Sequence, residues 1–108
     1  MRQIERAMCH AVSRGKYFKR GNTEVLVTDT GCEVFLYGNR IARYNRLSHT
    51  VFVTLCGWNT TTTKSRINAL LDSFGTGVRV YTKKFEPRYM LCGQSFEFES
   101  AGHIFLCN

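Results

Sequence analysis

The stretch from Cys32 to Tyr44, CEVFLYGNRIARY, decides the fold because it predicts two antiparallel strands joined by a tight turn. Apolar side chains alternate along its first half, which is typical of a strand buried on one face. Gly38-Asn39 favours a two-residue hairpin turn, since both residue types accept positive φ. Ile41 then faces inward on the second strand. The stretch therefore indicates a β-hairpin.

The neighbouring segments extend this hairpin into a meander. Glu24 to Asp29 and Leu47 to Cys56 each place valines at every second position, and Asp29-Thr30-Gly31 is a turn signal. Four consecutive strands with short turns form an antiparallel sheet. Further strands are predicted downstream, with the last two paired through Ser100-Ala101-Gly102; they are Val78 to Lys83, Arg88 to Cys92, Phe96 to Glu99 and His103 to Cys107.

Two segments have helical periodicity. Near the N-terminus, apolar residues recur at helical spacing from Ile4 to Val12, and Gly15 suits the position just past the helix end. The second helix has Ile67, Leu70, Leu71 and Phe74 at i, i+3, i+4 and i+7. The threonine run Thr60 to Thr63 supplies its N-cap, which is predicted at Thr62 or Thr63, and its end is predicted at Gly75 and Gly77. Residues 1–108 are thus predicted to form a single α+β domain, an antiparallel β-meander sheet packed with an N-terminal helix and a central helix.

Charge and cysteine content narrow the class of protein. The 108 residues carry 15 Lys+Arg against 8 Asp+Glu, a net charge of +7. This surplus favours a polyanion or an acidic protein surface as the partner. Five widely spaced cysteines, with no CxxC pair, indicate free thiols in a reducing compartment, mostly buried. The charged N-terminus is unlike a signal peptide, and no apolar run is long enough to span a bilayer, so we expect no membrane partner.

The segment from Gly57 to Arg66 is the first candidate anion site. It places Lys64 and Arg66 near a helix start, where acidic residues normally favour the dipole, together with the Thr62 and Thr63 hydroxyls. A bound phosphate would resolve this conflict, and Trp58 would stack on a base. The alternative is a threonine cap with two solvated cations and a tryptophan that anchors the loop to the core. The segment lacks the P-loop pattern.

A basic cluster with interleaved aromatic residues follows the first helix. Arg14, Lys16, Lys19 and Arg20 would contact phosphates, while Tyr17 and Phe18 would stack or pack. The alternative is a solvated surface whose Phe18 closes the core. Strand alternation predicts that Arg40 and Arg43 lie on opposite faces of their strand, which argues against one continuous basic stripe.

Residues suited to catalysis are scattered along the chain. His10, His49 and His103 are dispersed, and no CxxC or HxxxH spacing predicts a metal site. Glu97 and Glu99 share a strand face, for which an exposed polar surface is the simpler account. We expect no enzymatic activity, no metal and no cofactor, although a Cys–His pair assembled by folding remains an alternative.

The segment from Gly57 to Leu71, GWNTTTTKSRINALL, resembles a family of small tailed-bacteriophage proteins. Gly21 to Val25 and Leu36 to Ala42 are similar to earlier segments of that family. The resemblance implies a phage-encoded accessory protein that acts in the host bacterial cytoplasm, and it transfers no catalytic residue. The predicted function is binding of nucleic acid or a nucleotide phosphate through a basic helix N-terminus. The alternative is an inhibitor that docks on an acidic surface of a host enzyme or antiviral-defence complex, and an exposed Phe35, Tyr37 and Phe52 side of the sheet would favour this or a homodimer.

Overall fold

Two helices and nine strands form the protein, in a computed structural model that describes residues 2–108. The helices are α1 (Gln3–Arg14) and α2 (Thr61–Ser73). The strands, in chain order, are β1 (Phe18–Arg20), β2 (Thr23–Val27), β3 (Gly31–Leu36), β4 (Asn39–Asn45), β5 (Thr50–Val53), β6 (Arg79–Lys83), β7 (Glu86–Leu91), β8 (Gln94–Glu97) and β9 (His103–Leu106).

The strands form two antiparallel sheets. The larger has the order β1-β2-β3-β4-β5-β9, and the smaller has the order β6-β7-β8. The predicted meander is therefore confirmed from β2 to β5, with β1 added at one edge. The predicted pairing of the last two strands with each other is wrong, because β8 pairs with β7 while β9 pairs with β5. Joining the larger sheet buries Phe105 of β9 opposite Val51.

The β3–β4 turn lies one residue earlier than predicted. Leu36 pairs with Asn39, so Tyr37 and Gly38 are the central residues, with φ of 51° and 78°. Positive φ at both positions is the conformation that a two-residue hairpin requires. The Tyr37 backbone N–H donates to the Asn22 carbonyl at 2.8 Å. This hydrogen bond joins the β3–β4 turn to the β1–β2 turn.

A β-bulge in β4 places two arginines on one face of the larger sheet. Val34 pairs with Ala42 but Phe35 pairs with Arg40, so Ile41 is an extra residue. Ile41 and Ala42 are both buried, and Arg40 and its near neighbour Arg43 both face outward. The prediction that the two arginines lie on opposite faces is wrong, because simple alternation does not hold across a bulge.

One core joins the helices and both sheets. The helices cover the inner face of the larger sheet, and their innermost side chains include Met8 of α1 and Leu70 of α2, both almost fully buried. The Asn68 amide of α2 accepts from the Val80 N–H at 2.7 Å and donates to the Val80 carbonyl at 2.9 Å, which fastens β6 to the helix. The predicted α+β fold class is confirmed.

Gly31 is expected to be intolerant of alanine. A Cβ at this buried position would lie 1.9 Å from the Tyr44 carbonyl oxygen, a backbone atom that cannot rotate away. Gly31→Ala should lower the free energy of unfolding by at least about 2 kcal/mol, measured by urea denaturation. Gly21→Ala is the control, because nothing lies within 4 Å of its Cβ and only the positive φ of 56° opposes it. Equal losses for the two variants would contradict the close strand approach at Gly31.

Candidate anion-binding surface

Helix α2 begins at Thr61, with Thr60 as its N-cap. Thr60 has extended backbone, and its Oγ1 accepts the Thr63 N–H at 3.1 Å. The Thr63 hydroxyl is buried and lies 2.9 Å from the same oxygen. The prediction of Thr62 or Thr63 as the cap is wrong, because both have already entered the helix. The Thr63 hydroxyl therefore completes the cap, and Thr62 lies half-buried in the first turn.

Lys64 lies in the second turn of α2, further from the positive, N-terminal end of the helix dipole than the sequence predicts. Its Nζ donates to the Thr82 hydroxyl, which in turn donates to Asn59 Oδ1 at 3.2 Å. The side chain is half-buried and bridges α2 to strand β6. Its positive charge remains near the helix start, but one of its donors is already used within the protein.

Arg66 is buried, with 4% of its surface exposed, so the expectation that it faces solvent is wrong. Its Nη1 donates to Glu5 Oε2 at 2.7 Å, and its Nε donates to Thr23 Oγ1 at 3.1 Å. Ser65 Oγ donates to the same Glu5 oxygen at 2.5 Å. The Arg66 guanidinium, carried by α2, is held by the charge of Glu5 in α1 and by a hydrogen bond to Thr23 in β2. Arg66 is a structural residue that joins these elements.

Glu5 should make the stability of the protein depend on acid. Burial raises the pKa of the Glu5 carboxyl. Hydrogen bonds from Ser65, Arg66 and the Arg2 backbone, together with the Arg66 charge, lower this pKa by more than burial raises it. The net pKa is therefore below the usual 4.5. A depressed pKa contributes stability above the unfolded value, and that contribution is lost as pH falls through the folded value. Urea midpoints should therefore drop below about pH 4.5. Glu5→Gln should flatten this dependence, and an unchanged slope would contradict the role of Glu5.

The N-terminal basic surface, defined here as Arg14, Lys16, Lys19 and Arg20, is exposed at all four positions. Within residues 2–108, ion pairs are formed only by Arg40 with Glu33 and by Arg66 with Glu5, so none of the four has a carboxylate within 4 Å. Lys19 and Arg20 lie on β1, a strand that the sequence analysis does not predict. These four cations are therefore free to meet an external anion.

Aromatic residues lie between these cations. Tyr17 is 59% exposed, and its hydroxyl donates to Glu24 Oε2 at 3.0 Å, which raises the Tyr17 pKa. Phe18 is half-buried against the core, as the alternative interpretation expects, and the Arg20 guanidinium lies 5.5 Å from its ring centre. Tyr17 is the aromatic residue of this surface that remains available to a ligand.

Trp58 lies outside the core, with 59% of its surface exposed. Its backbone is fixed, since its N–H donates to the Leu55 carbonyl at 2.8 Å and its carbonyl accepts from Thr60 at 2.9 Å. The alternative, in which Trp58 anchors the loop to the core, does not fit a side chain that is mostly exposed. Together with Tyr37, which is 73% exposed, it borders a pocket of about 400 Å³. Tyr37 is an addition to the residues predicted from the sequence, and its signal there is an aromatic residue beside the glycine of a hairpin turn.

The pocket and Arg20 of the N-terminal basic surface lie at the same end of the larger sheet. Arg20, Thr23, Leu36 and Asn39 pair in succession across β1 to β4 and so form one row. Two strand spacings separate Arg20 from Leu36, which is about 10 Å. The structure thus brings Arg20 and Trp58 toward one end of the sheet while it withdraws Arg66.

A larger cleft of about 880 Å³ lies between α2 and β6. Its wall has cations at Arg2, Lys64 and Arg79, but also carboxylates at Glu5 and Asp72. Mixed charge makes this cleft less suited to a polyanion than the N-terminal basic surface, where four cations outnumber Glu24, the residue opposite Lys19 on β2.

The histidines and cysteines differ in exposure and in their hydrogen bonds. His10 and His49 are exposed, whereas His103 accepts the Glu99 N–H on Nε2 at 2.9 Å. All five cysteines are free, and two are buried, fewer than expected. Burial raises the pKa of the Cys9 thiol to about 11, so it stays protonated at neutral pH. Across residues 2–108, no three His, Cys, Asp or Glu side chains are grouped to hold a metal ion.

The chain belongs to the Kyanoviridae Gp96 protein family, whose model matches residues 1–104. This finding confirms a small phage protein family and extends across both helices and nearly all of the strands. No curated protein matches the chain, and no solved structure matches it. Neither helix of the described chain is long and apolar enough to cross a membrane.

Proposed function

We propose that this phage protein binds nucleic acid through the N-terminal basic surface and the adjoining end of the larger sheet. The observation that carries the proposal is the exposure of Arg14, Lys16, Lys19 and Arg20 without a carboxylate partner in residues 2–108. Neutralising phosphates with such cations releases counterions and supplies most of the affinity for a nucleic-acid backbone. Exposed Tyr17 and Trp58 provide rings for base stacking.

The proposed centre differs from a basic helix N-terminus. Arg66 is committed to Glu5, and Lys64 already donates to Thr82. Lys64 therefore contributes charge at the margin of the surface, while the four exposed cations make the phosphate contacts. Arg40 lies nearby on the outward face of β4, although Glu33 neutralises part of its charge at 2.7 Å.

A second candidate function is inhibition by docking on an acidic protein surface. The observation that favours it is the outward face of β9, where Ile104 and Leu106 are exposed; Ile104 pairs with Phe52 of β5, which pairs with Arg43 of β4. Exposed apolar side chains rimmed by charge are typical of protein interfaces. Phe35 and Phe52 on the same sheet face are half-buried, so the apolar patch is centred on β9.

Fluorescence anisotropy with labelled single- and double-stranded oligonucleotides tests the proposal. At about 50 mM salt, the protein should bind oligonucleotides of about 12 nucleotides, a length within the range of small single-strand-binding domains. Absence of binding at low salt would contradict nucleic-acid binding. A pull-down from bacterial lysate, with and without nuclease, separates the two candidates, because a partner retained after nuclease treatment would favour protein docking.

A further inference from the structure

The pocket beside Trp58 combines an apolar floor with two aromatic walls. Leu36, Ile41 and Leu55 form the floor, and the rings of Tyr37 and Trp58 border the opening. Its volume of about 400 Å³ falls in the range of small-molecule sites, which is about 300–1,000 Å³. Such a site favours a flat, largely apolar group that can contact a ring face.

Polar groups at the edge of the pocket give it hydrogen-bonding capacity. Asn39 contributes a side-chain amide, while the Thr60 and Thr63 hydroxyls, which also line the pocket, hydrogen-bond to each other at 2.9 Å. The Asn39 Nδ2 makes a long contact of 3.5 Å to the Tyr37 carbonyl, which leaves its Oδ1 as an acceptor. A planar ring with donors and acceptors along its edge, the chemistry of a nucleobase, matches this combination.

Tyr37, one of the two aromatic walls, is held in place at some energetic cost. Tyr37 adopts a φ of 51°, a left-handed conformation that costs a bulky residue about 1–2 kcal/mol. Neither ring contributes much to the core, since both are more exposed than buried. A hairpin turn would be more stable with asparagine at position 37. The left-handed φ fixes the Tyr37 backbone in the turn, and its exposed ring borders the pocket.

We infer that this pocket binds one unstacked nucleobase of a single-stranded nucleic acid, an inference that rests on the proposed function. The strand would leave the pocket toward Arg20, which pairs in one row with Thr23, Leu36 and Asn39 and would contact a phosphate. A base in a duplex is stacked and paired, so it must leave the helix to enter the pocket. Single strands are therefore the preferred ligand.

Trp58 is the only tryptophan of the chain, so its fluorescence reports directly on the pocket. The probe is an oligothymidine of about 12 nucleotides, compared with an abasic strand that has the same number of phosphates. Base-containing strands should quench Trp58 fluorescence and bind about 5- to 150-fold more tightly than abasic strands. Equal affinity and no quenching would overturn the inference.

Two variants separate the pocket from the phosphate contacts. Trp58→Ala and Tyr37→Asn should each weaken oligothymidine binding by about 5- to 150-fold and leave abasic binding unchanged, measured by anisotropy. Asparagine suits the positive φ at position 37, so a thermal melt should show Tyr37→Asn at least as stable as the parent protein.

The outcomes distinguish failure of the nucleobase pocket from failure of the proposed nucleic-acid binding. Salt-sensitive binding that neither pocket variant weakens would overturn the nucleobase pocket and leave nucleic-acid binding in place. Absence of oligonucleotide binding by the parent protein would overturn both. A partner protein whose capture from nuclease-treated lysate is lost in both pocket variants would assign the pocket to protein docking, and this also overturns the inference.

Discussion

Arg66→Ala is expected to lower the free energy of unfolding by about 3–5 kcal/mol, because it leaves the buried Glu5 carboxylate without its charged partner. The guanidinium also satisfies Thr23, so its removal breaks contacts in three elements at once. A small domain has a total stability of about 5–15 kcal/mol, and such a loss would leave much of the protein unfolded near 37 °C. Urea denaturation followed by circular dichroism measures the effect.

Two comparisons make the Arg66 prediction specific. Arg43→Ala removes the same side chain from an exposed position and should change stability by no more than about 0.5 kcal/mol. Glu5→Leu combined with Arg66→Met replaces the pair with apolar groups and should cost less than Arg66→Ala alone. A loss below about 1 kcal/mol for Arg66→Ala would contradict a buried, structural ion pair.

Replacing Lys16, Lys19 and Arg20 together with glutamine is expected to weaken single-strand binding by two to three orders of magnitude, roughly, at about 50 mM salt. Each lost phosphate contact makes the slope of the logarithm of the association constant against the logarithm of the salt concentration shallower by about 0.7. Three lost contacts therefore make it shallower by about 2.1. The fold should persist, because all three side chains are exposed. Anisotropy over a series of salt concentrations measures both quantities.

The matched control removes the same charge from another part of the molecule. Arg79, Lys83 and Lys84 are exposed on or beside β6, in the smaller sheet. Their replacement with glutamine should weaken binding by less than about tenfold, since only long-range attraction is reduced. Similar losses in the two triple variants would show that net charge, rather than the N-terminal basic surface, determines affinity.

Local patterns were sufficient to predict most of the fold. The helical spacing from Ile67 to Phe74 predicted α2, and alternating valines predicted the meander from β2 to β5. These patterns involve residues only a few positions apart, because the side chains that share one buried face of a helix or strand recur at short, regular intervals. The predictions that failed involve partners distant in sequence or irregular geometry. The β4 bulge and the pairing of β9 with β5 are set by the assembled sheet.

The candidate site was predicted less well than the fold. Glu5 and Arg66 are separated by 61 positions, so no local pattern connects them. Arg66 and Lys64 are close in sequence, but residues two apart on a helix face different directions, so a shared site does not follow from their spacing. The exposure of Arg14, Lys16, Lys19 and Arg20 followed from composition, since unpaired cations remain at the surface. Tyr37 joins Trp58 through the hairpin register, which appears only once the sheet is formed.

Nucleic-acid binding by the N-terminal basic surface is tested most directly by the salt dependence of anisotropy with a labelled single-stranded oligonucleotide. The parent protein should show an association constant that falls linearly with salt on logarithmic axes, between about 50 and 200 mM. The Lys16, Lys19 and Arg20 triple variant should give a line that is shallower by about 2. Parallel lines for the parent protein and this variant, or no binding at the lowest salt, would contradict the account.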